Sequence, residues 1–193
     1  MGSLDHHPRL MRRWPVVMAD AAGVDLIEEG LGGRLAAGHG DPNMGPHMDG
    51  QLGLRIALAS HGPIDMLTIM LGTNDLQAHH GKTAPQIAAH VDALVKIAQT
   101  DDLQDRHGSF EILLICPPPV IAVGVFAADF ADTVAASRAM PALYARVATR
   151  RGVHFMDAST HIASSDIDGI HFDNAAHAVL GQAVADQIKG ILI

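Results

Sequence analysis

Short apolar runs exchange regularly with longer stretches of helical periodicity, and that alternation constrains the fold more than any other feature of the chain. Ile64-Asp65-Met66-Leu67-Thr68-Ile69-Met70-Leu71, opened by Gly62-Pro63 and closed by Gly72, reads as a strand. Ile112 to Cys116 is another, stopped by Pro117-Pro118-Pro119 because proline has no N–H to give a ladder. Val153-His154-Phe155-Met156 is a short third, ending at Asp157, and Val24-Asp25-Leu26-Ile27 reads as an earlier strand ending at Glu28-Glu29-Gly30. The runs are nearly continuous rather than alternating, which suits strands covered on both faces. Helical patterns lie between them. Trp14 to Ala22 tolerates Pro15 in its first turn. Pro85 to Gln99 places Ile87, Val91, Leu94, Val95 and Ala98 on one face. Asp132 to Arg151 runs through Val134, Leu143 and Val147, and Asn174 to Lys189 spaces Leu180, Val184 and Ile188 at four-residue intervals behind Asp173 as an N-cap. Such alternation predicts an α/β domain on a parallel sheet. No repeat or linker interrupts it, so residues 1–193 are expected to form a single domain.

Composition narrows the function. Apolar residues make up 48% and charged residues 18%, the balance of a packed globular protein. No apolar run approaches the roughly 20 residues that cross a bilayer, so no membrane span is expected. The net charge of −8 is scattered and there is no basic stripe, which argues against a nucleic-acid partner. A lone cysteine, Cys116, forms no intrachain disulfide and fits a reducing compartment. Met1-Gly2-Ser3-Leu4-Asp5-His6-His7 is too polar and short for a secretory leader, so the expected location is cytoplasmic. His6-His7 and His79-His80 are adjacent pairs without the spacing that puts two ligands on one helix face, and they read as solvated loop histidines. The irregular stretch from Leu35 to about Gln51 is either a functional loop or a surface excursion.

Three segments carry chemistry, each just after an expected strand, where open parallel sheets collect their active sites. Gly72-Thr73-Asn74-Asp75 would put the Asn74 amide at the sheet's top edge as an oxyanion donor, with Asp75 capping the following turn. Alone, these residues are equally good turn chemistry. In Asp168-Gly169-Ile170-His171 a carboxylate three residues ahead of a histidine can hold one ring nitrogen and leave the other for the cleft; alone, the two also meet by chance in loops. Glu29-Gly30-Leu31-Gly32-Gly33-Arg34 offers free backbone N–H groups, or only a glycine-rich turn. Its glycines lack the GxGxxG spacing of a nucleotide site, and there is no P-loop.

Taken in order, these three segments resemble the SGNH (GDSL-type) hydrolase superfamily, and within it the arylesterase/acyltransferase branch. Arg13-Trp14-Pro15, Pro63 to Leu71 and Pro117-Pro118-Pro119 add to the likeness, which runs from about His7 to the carboxyl terminus. The resemblance implies a three-layer α/β/α flavodoxin-like fold with a parallel sheet. It also implies acyl transfer through a serine ester on small ester substrates, with no cofactor or metal, in a homo-oligomer. By that likeness His171 corresponds to the general base, Asp168 to its orienting carboxylate, Asn74 to the oxyanion asparagine and Gly33 to the backbone donor beside it.

The family opens with a strand and Gly-Asp-Ser-Leu, whose serine is the nucleophile, and no such block occurs in this sequence. Ser3, in Gly2-Ser3-Leu4, follows no apolar strand and lies too close to Trp14 for the family's spacing. Ser60, Ser109, Ser137, Ser159, Ser164 and Ser165 lie elsewhere in the pattern. In the flavodoxin-like order the first strand is central, and its loss would leave unpaired ladder groups at a cost of about 1–3 kcal/mol each. The expectation is a natural gene product longer at its amino terminus by one strand of ~5–6 residues and a loop. The alternative is an SGNH-like domain without a nucleophile, retained as a binding or assembly module.

Overall fold

A computed structural model of the protein describes residues 10–38 and 44–192; Ser3 and the His6-His7 pair lie outside them. In chain order the helices are α1 (Trp14–Ala22), α2 (Gly50–Ser60), α3 (Ala84–Ala98), α4 (Asp101–His107), α5 (Ala127–Phe130), α6 (Val134–Arg151) and α7 (Asn174–Leu192). The strands are β1 (Met66–Ile69), β2 (Glu111–Cys116) and β3 (His154–Asp157). Two compact units emerge, one combining Met1–Glu28 with Phe172–Ile193, the other spanning Glu29–His171.

In the first unit α1 packs on α7. Met18 and Ala19 of α1 are buried, as are Leu180, Val184 and Ile188 of α7, the stripe at four-residue intervals expected from sequence. Asp173 accepts from the Ala176 N–H at 2.7 Å, as an N-cap does. Helix α1 ends at Gly23, whose φ of 71° closes the last turn with an N–H bond to the Ala19 carbonyl. Val24 to Ile27 is a correction to the sequence reading: these residues enter no ladder, and Val24, Leu26 and Ile27 are exposed. An apolar run becomes a strand only where a neighbour offers N–H and C=O groups in register.

The second unit is built on a parallel sheet of order β1-β2-β3. Met66 faces Glu111 across β1 and β2, and Leu113 faces His154 across β2 and β3. Ile112 to Cys116 of the central strand are buried, as the near-continuous apolar run requires. Burial also drives the Cys116 thiol far above its usual range, with Asp157 adding to the effect, so it behaves as a small core hydrophobe. Among the described residues β1 has a ladder partner on one side only.

Helix α3 begins at a capping box: Thr83 accepts from Gln86 N–H while Gln86 accepts from Thr83 N–H. Its stripe of Ile87, Val91, Leu94, Val95 and Ala98 is buried as expected, and α3 packs on α6. The buried face of α6 is Ser137, Met140, Tyr144, Val147 and Ala148. Of the residues expected there, Val147 is buried while Val134 and Leu143 are only half-buried. No helix among the described residues is long and apolar enough to cross a membrane.

Two polar contacts fasten α6. The Tyr144 hydroxyl, fully buried, donates to the Leu71 carbonyl at 2.8 Å, just past β1. Burial first, with Cys116 and Asp75 nearby, holds that phenol well above its usual range, so it remains a donor at any ordinary pH. Tyr144→Phe leaves a buried carbonyl without its partner and is expected to cost about 1–2 kcal/mol, read as a lower denaturation midpoint. Asp92 of α3 accepts from Arg151 Nε at 2.7 Å and from Arg150 at 2.8 Å. The Arg151 bond, opposed by burial and reinforced by Arg150, lowers the Asp92 carboxyl to about 2 from 3.8. The folded value lies below the unfolded one, so this contribution is present above about pH 4 and is lost as pH falls toward about 2. Arg150 is largely exposed, so the contribution is discounted to roughly 1–2 kcal/mol. Asp92→Asn is therefore expected to flatten the acid limb of a stability-against-pH curve across that window.

Candidate active site

All three strands run parallel, so their carboxyl ends lie on one edge of the sheet, and the chain leaving each of them carries the candidate site residues. Leaving β1 the chain passes through Gly72 and Thr73 into a 3-10 turn, Asn74–Leu76. Leaving β2 it passes through Pro117-Pro118-Pro119 to the 3-10 turn Gly124–Phe126. Leaving β3 it reaches Asp168 and His171.

Asp168 and His171 are joined as the sequence suggested. His171 Nδ1 lies 2.7 Å from Asp168 Oδ2, while Asp168 Oδ1 accepts from the Ile170 and His171 backbone N–H groups at 3.1 and 3.0 Å. The carboxylate side chain is 3% exposed and the imidazole 53%. Burial is the largest influence on Asp168 and opposes its charge. The two backbone donors and the histidine ring outweigh it and hold the carboxyl below the usual carboxylate range. A charged acceptor on Nδ1 fixes the ring as the Nδ1–H tautomer and puts the basic lone pair on Nε2. The segment is braced from both sides: Ser165 N–H donates to the His171 carbonyl and Gly169 N–H to the Ser165 carbonyl, each at 2.8 Å. From the chain after β2, Ile121 N–H donates to the Gly169 carbonyl at 2.9 Å, and the Phe126 ring stands edge-on to His171 with centroids 6.0 Å apart.

Asn74 and the glycine-rich turn also come together. Asn74 Nδ2 donates to the carbonyl of Arg34, the residue after Gly33, at 3.1 Å. An amide nitrogen carries two hydrogens, and this bond uses one of them. Gly33 turns with a φ of 80°, a left-handed conformation that costs glycine little. Leu35 N–H donates to the Met48 carbonyl and Gly50 N–H to the Leu35 carbonyl, so the start of the long loop is clipped to the head of α2. Gly50 is required there, because a Cβ would lie 2.5 Å from the Leu35 carbonyl oxygen.

Asp75 corrects the sequence reading. It caps no turn: its side chain is completely buried and accepts from Ala36 N–H and from Lys82 Nζ, both at 2.8 Å. Lys82 also donates to the Ala37 carbonyl at 3.0 Å. Sequence reasoning missed Lys82 and Tyr144. Both act on backbone distant in the chain, and no spacing rule registers a side chain bonded to a carbonyl 45 or 73 positions away.

Three of the described serines have bonded side chains. Ser137 donates to the Val134 carbonyl, Ser164 donates to the Pro119 carbonyl, and Ser165 accepts from Ile167 N–H. Ser60 ends α2, Ser109 sits at a positive φ after α4, and Ser159 lies in the 3-10 turn after β3. Of the residues expected for a Ser-His-Asp set, the described residues bring together His171 and Asp168.

The model of the GDSL-like Lipase/Acylhydrolase family matches residues 2–179. Est24, a carbohydrate acetylesterase from Sinorhizobium meliloti, is 33% identical, with a TM-score of 0.86 over 93% of this chain and 86% of its own. The M. smegmatis aryl esterase is 32% identical, with a TM-score of 0.85 over 92% of this chain and 85% of its own. A second carbohydrate acetylesterase family member from S. meliloti is 29% identical, with a TM-score of 0.86 over 95% and 88%. A comparison with curated protein sequences finds no match. These neighbours have the α/β/α fold expected from the sequence, and the match runs through the strand exits that carry Asn74, Asp168 and His171. The chain belongs to the GDSL-like lipase/acylhydrolase family, the SGNH group of ester hydrolases.

Proposed function

We propose that this protein hydrolyses short-chain esters, acetyl esters above all, by a serine–histidine–aspartate mechanism. The observation that carries the reading is the 2.7 Å bond from the His171 ring to a buried, ionised Asp168 at the carboxyl edge of the sheet. In the proposed reaction a serine hydroxyl attacks the ester carbonyl and gives its proton to His171 Nε2. Asp168 stabilises the imidazolium without taking the proton. The oxyanion is held by the second hydrogen of Asn74 Nδ2 and the Gly33 N–H. His171 then protonates the departing alcohol, deprotonates water, and water releases the acyl group as carboxylic acid. An alcohol in place of water would give acyl transfer. The neighbours, a carbohydrate acetylesterase and an aryl esterase, support a small acyl group and an alcohol of variable size.

The nucleophile in this reading is carried by a strand that adds to β1 and is encoded upstream of Met1. Supporting it are the one-sided pairing of β1 among the described residues and the local engagement of Ser137, Ser164 and Ser165. The full enzyme is then a single SGNH domain, assembled as a homo-oligomer.

The test is p-nitrophenyl acetate hydrolysis by this chain and by a form extended upstream to the preceding start codon. Activity is expected in the extended form, falling by roughly 10³-fold or more in His171→Ala. Asn74→Ala is expected to lower kcat by about 10²–10³-fold with little change in KM. Full activity in His171→Ala removes the histidine from the mechanism. Activity in the short form puts the nucleophile on Ser3 or another group already present. Two folded but inactive forms favour the binding-module reading instead.

A further inference from the structure

We propose that Lys82 is a positioning residue for the oxyanion hole, completing a buried ion pair with Asp75 that locks the 33–37 turn against the exit of β1. The role rests on the reading of Asn74 and Gly33 as the oxyanion donors.

Three bonds converge on that turn from one short segment. Asn74 Nδ2 holds the Arg34 carbonyl at 3.1 Å, Asp75 Oδ2 holds the Ala36 N–H at 2.8 Å, and Lys82 Nζ holds the Ala37 carbonyl at 3.0 Å. The second Asp75 oxygen is 2.8 Å from Lys82 Nζ, so the ammonium bridges the carboxylate and the loop backbone. Asp75 is 0% exposed and Lys82 17%, which makes this a desolvated pair rather than a surface contact. Two further titratable groups lie near the carboxylate: the buried Tyr144 phenol of α6, and His90 on α3, with Nδ1 3.9 Å from Oδ1. That distance exceeds a hydrogen bond, and His90 Nδ1 is buried without a partner. Lys82 is therefore the cation within hydrogen-bonding distance of Asp75 among the described residues.

A buried carboxylate stripped of its cation must turn or draw in water, and either response loosens its hold on Ala36 N–H. Gly33 lies three residues upstream on the same turn. Oxyanion donors work because they are fixed before charge develops, and a shift of about 1 Å in such a group can cost about 10²-fold in rate. Lys82 thus acts on the reaction through the loop and not by touching substrate.

The experiment measures Lys82→Met and Lys82→Arg in the active form of the protein, by p-nitrophenyl acetate kinetics and by amide hydrogen exchange. Lys82→Met is expected to lower kcat about 10–100-fold while KM stays within about twofold, and to speed exchange at the Ala36 amide by a similar factor. Lys82→Arg, which keeps the cation, is expected to restore most of both. If Lys82→Met does not fold, the double variant Asp75→Asn with Lys82→Met removes the charge pair together, leaves an amide oxygen for Ala36 N–H, and is expected to fold with kcat between the single variant's range and wild type. Wild-type exchange at Ala36 in Lys82→Met overturns the role whatever the activity. So does a loss of kcat that Lys82→Arg fails to restore. Inactive wild-type protein in both forms overturns the hydrolase reading itself, and this role with it.

Discussion

Strand β2 is hydrogen-bonded to a parallel neighbour on each side, and parallel neighbours can be joined only by crossovers that travel back past the sheet. In this unit the first crossover carries α3 and α4 and the second carries α5 and α6. Helix α6 returns along β2 and β3 and packs on α3, and Ile112, Leu114 and Cys116 lie in the core these helices share with the sheet. The same constraint sends every strand out toward one edge, where Asn74, the Pro117–Pro119 turn and the Asp168–His171 segment leave the sheet together. The site is thus a consequence of parallel pairing before it is a consequence of any particular side chain.

Two buried carboxylates then divide the work at that edge. Asp168 is ionised because two backbone N–H groups and a histidine ring outweigh its burial, and its geometry sets the tautomer of a half-exposed imidazole. Asp75 has no exposed surface and faces a lysine and a backbone N–H instead, which turns an acid into a structural clamp. One is coupled to a half-exposed imidazole, the other to a lysine side chain and a peptide group. Residue type is the same in both, and the partner decides the role.

Much of this was legible in the chain. Helix α3 announced itself through an apolar stripe opening at Pro85, and β2 through an apolar run that ends in three prolines. Asp168 and His171 were legible because their contact is local, three residues apart within one turn. Val24 to Ile27 was misread because an apolar run carries no record of whether a neighbour will pair with it. Helix α2 went unseen because Gly50 and Gly53 weaken its helical signature; Gly50 answers to the backbone of Leu35 and not to helix propensity.

The sequence alone determined the α/β class, the parallel sheet, the family and the local contact between Asp168 and His171, because periodicity and short-range spacing are written along the chain. Tertiary structure decided the rest: the burial of Asp75, its pairing with Lys82, the Tyr144 bond to Leu71 and the clip between Leu35 and Gly50. Each of these joins groups that lie far apart in sequence or whose meaning changes with burial. A charge or a hydroxyl acquires its role only when folding removes water and supplies a specific partner in its place.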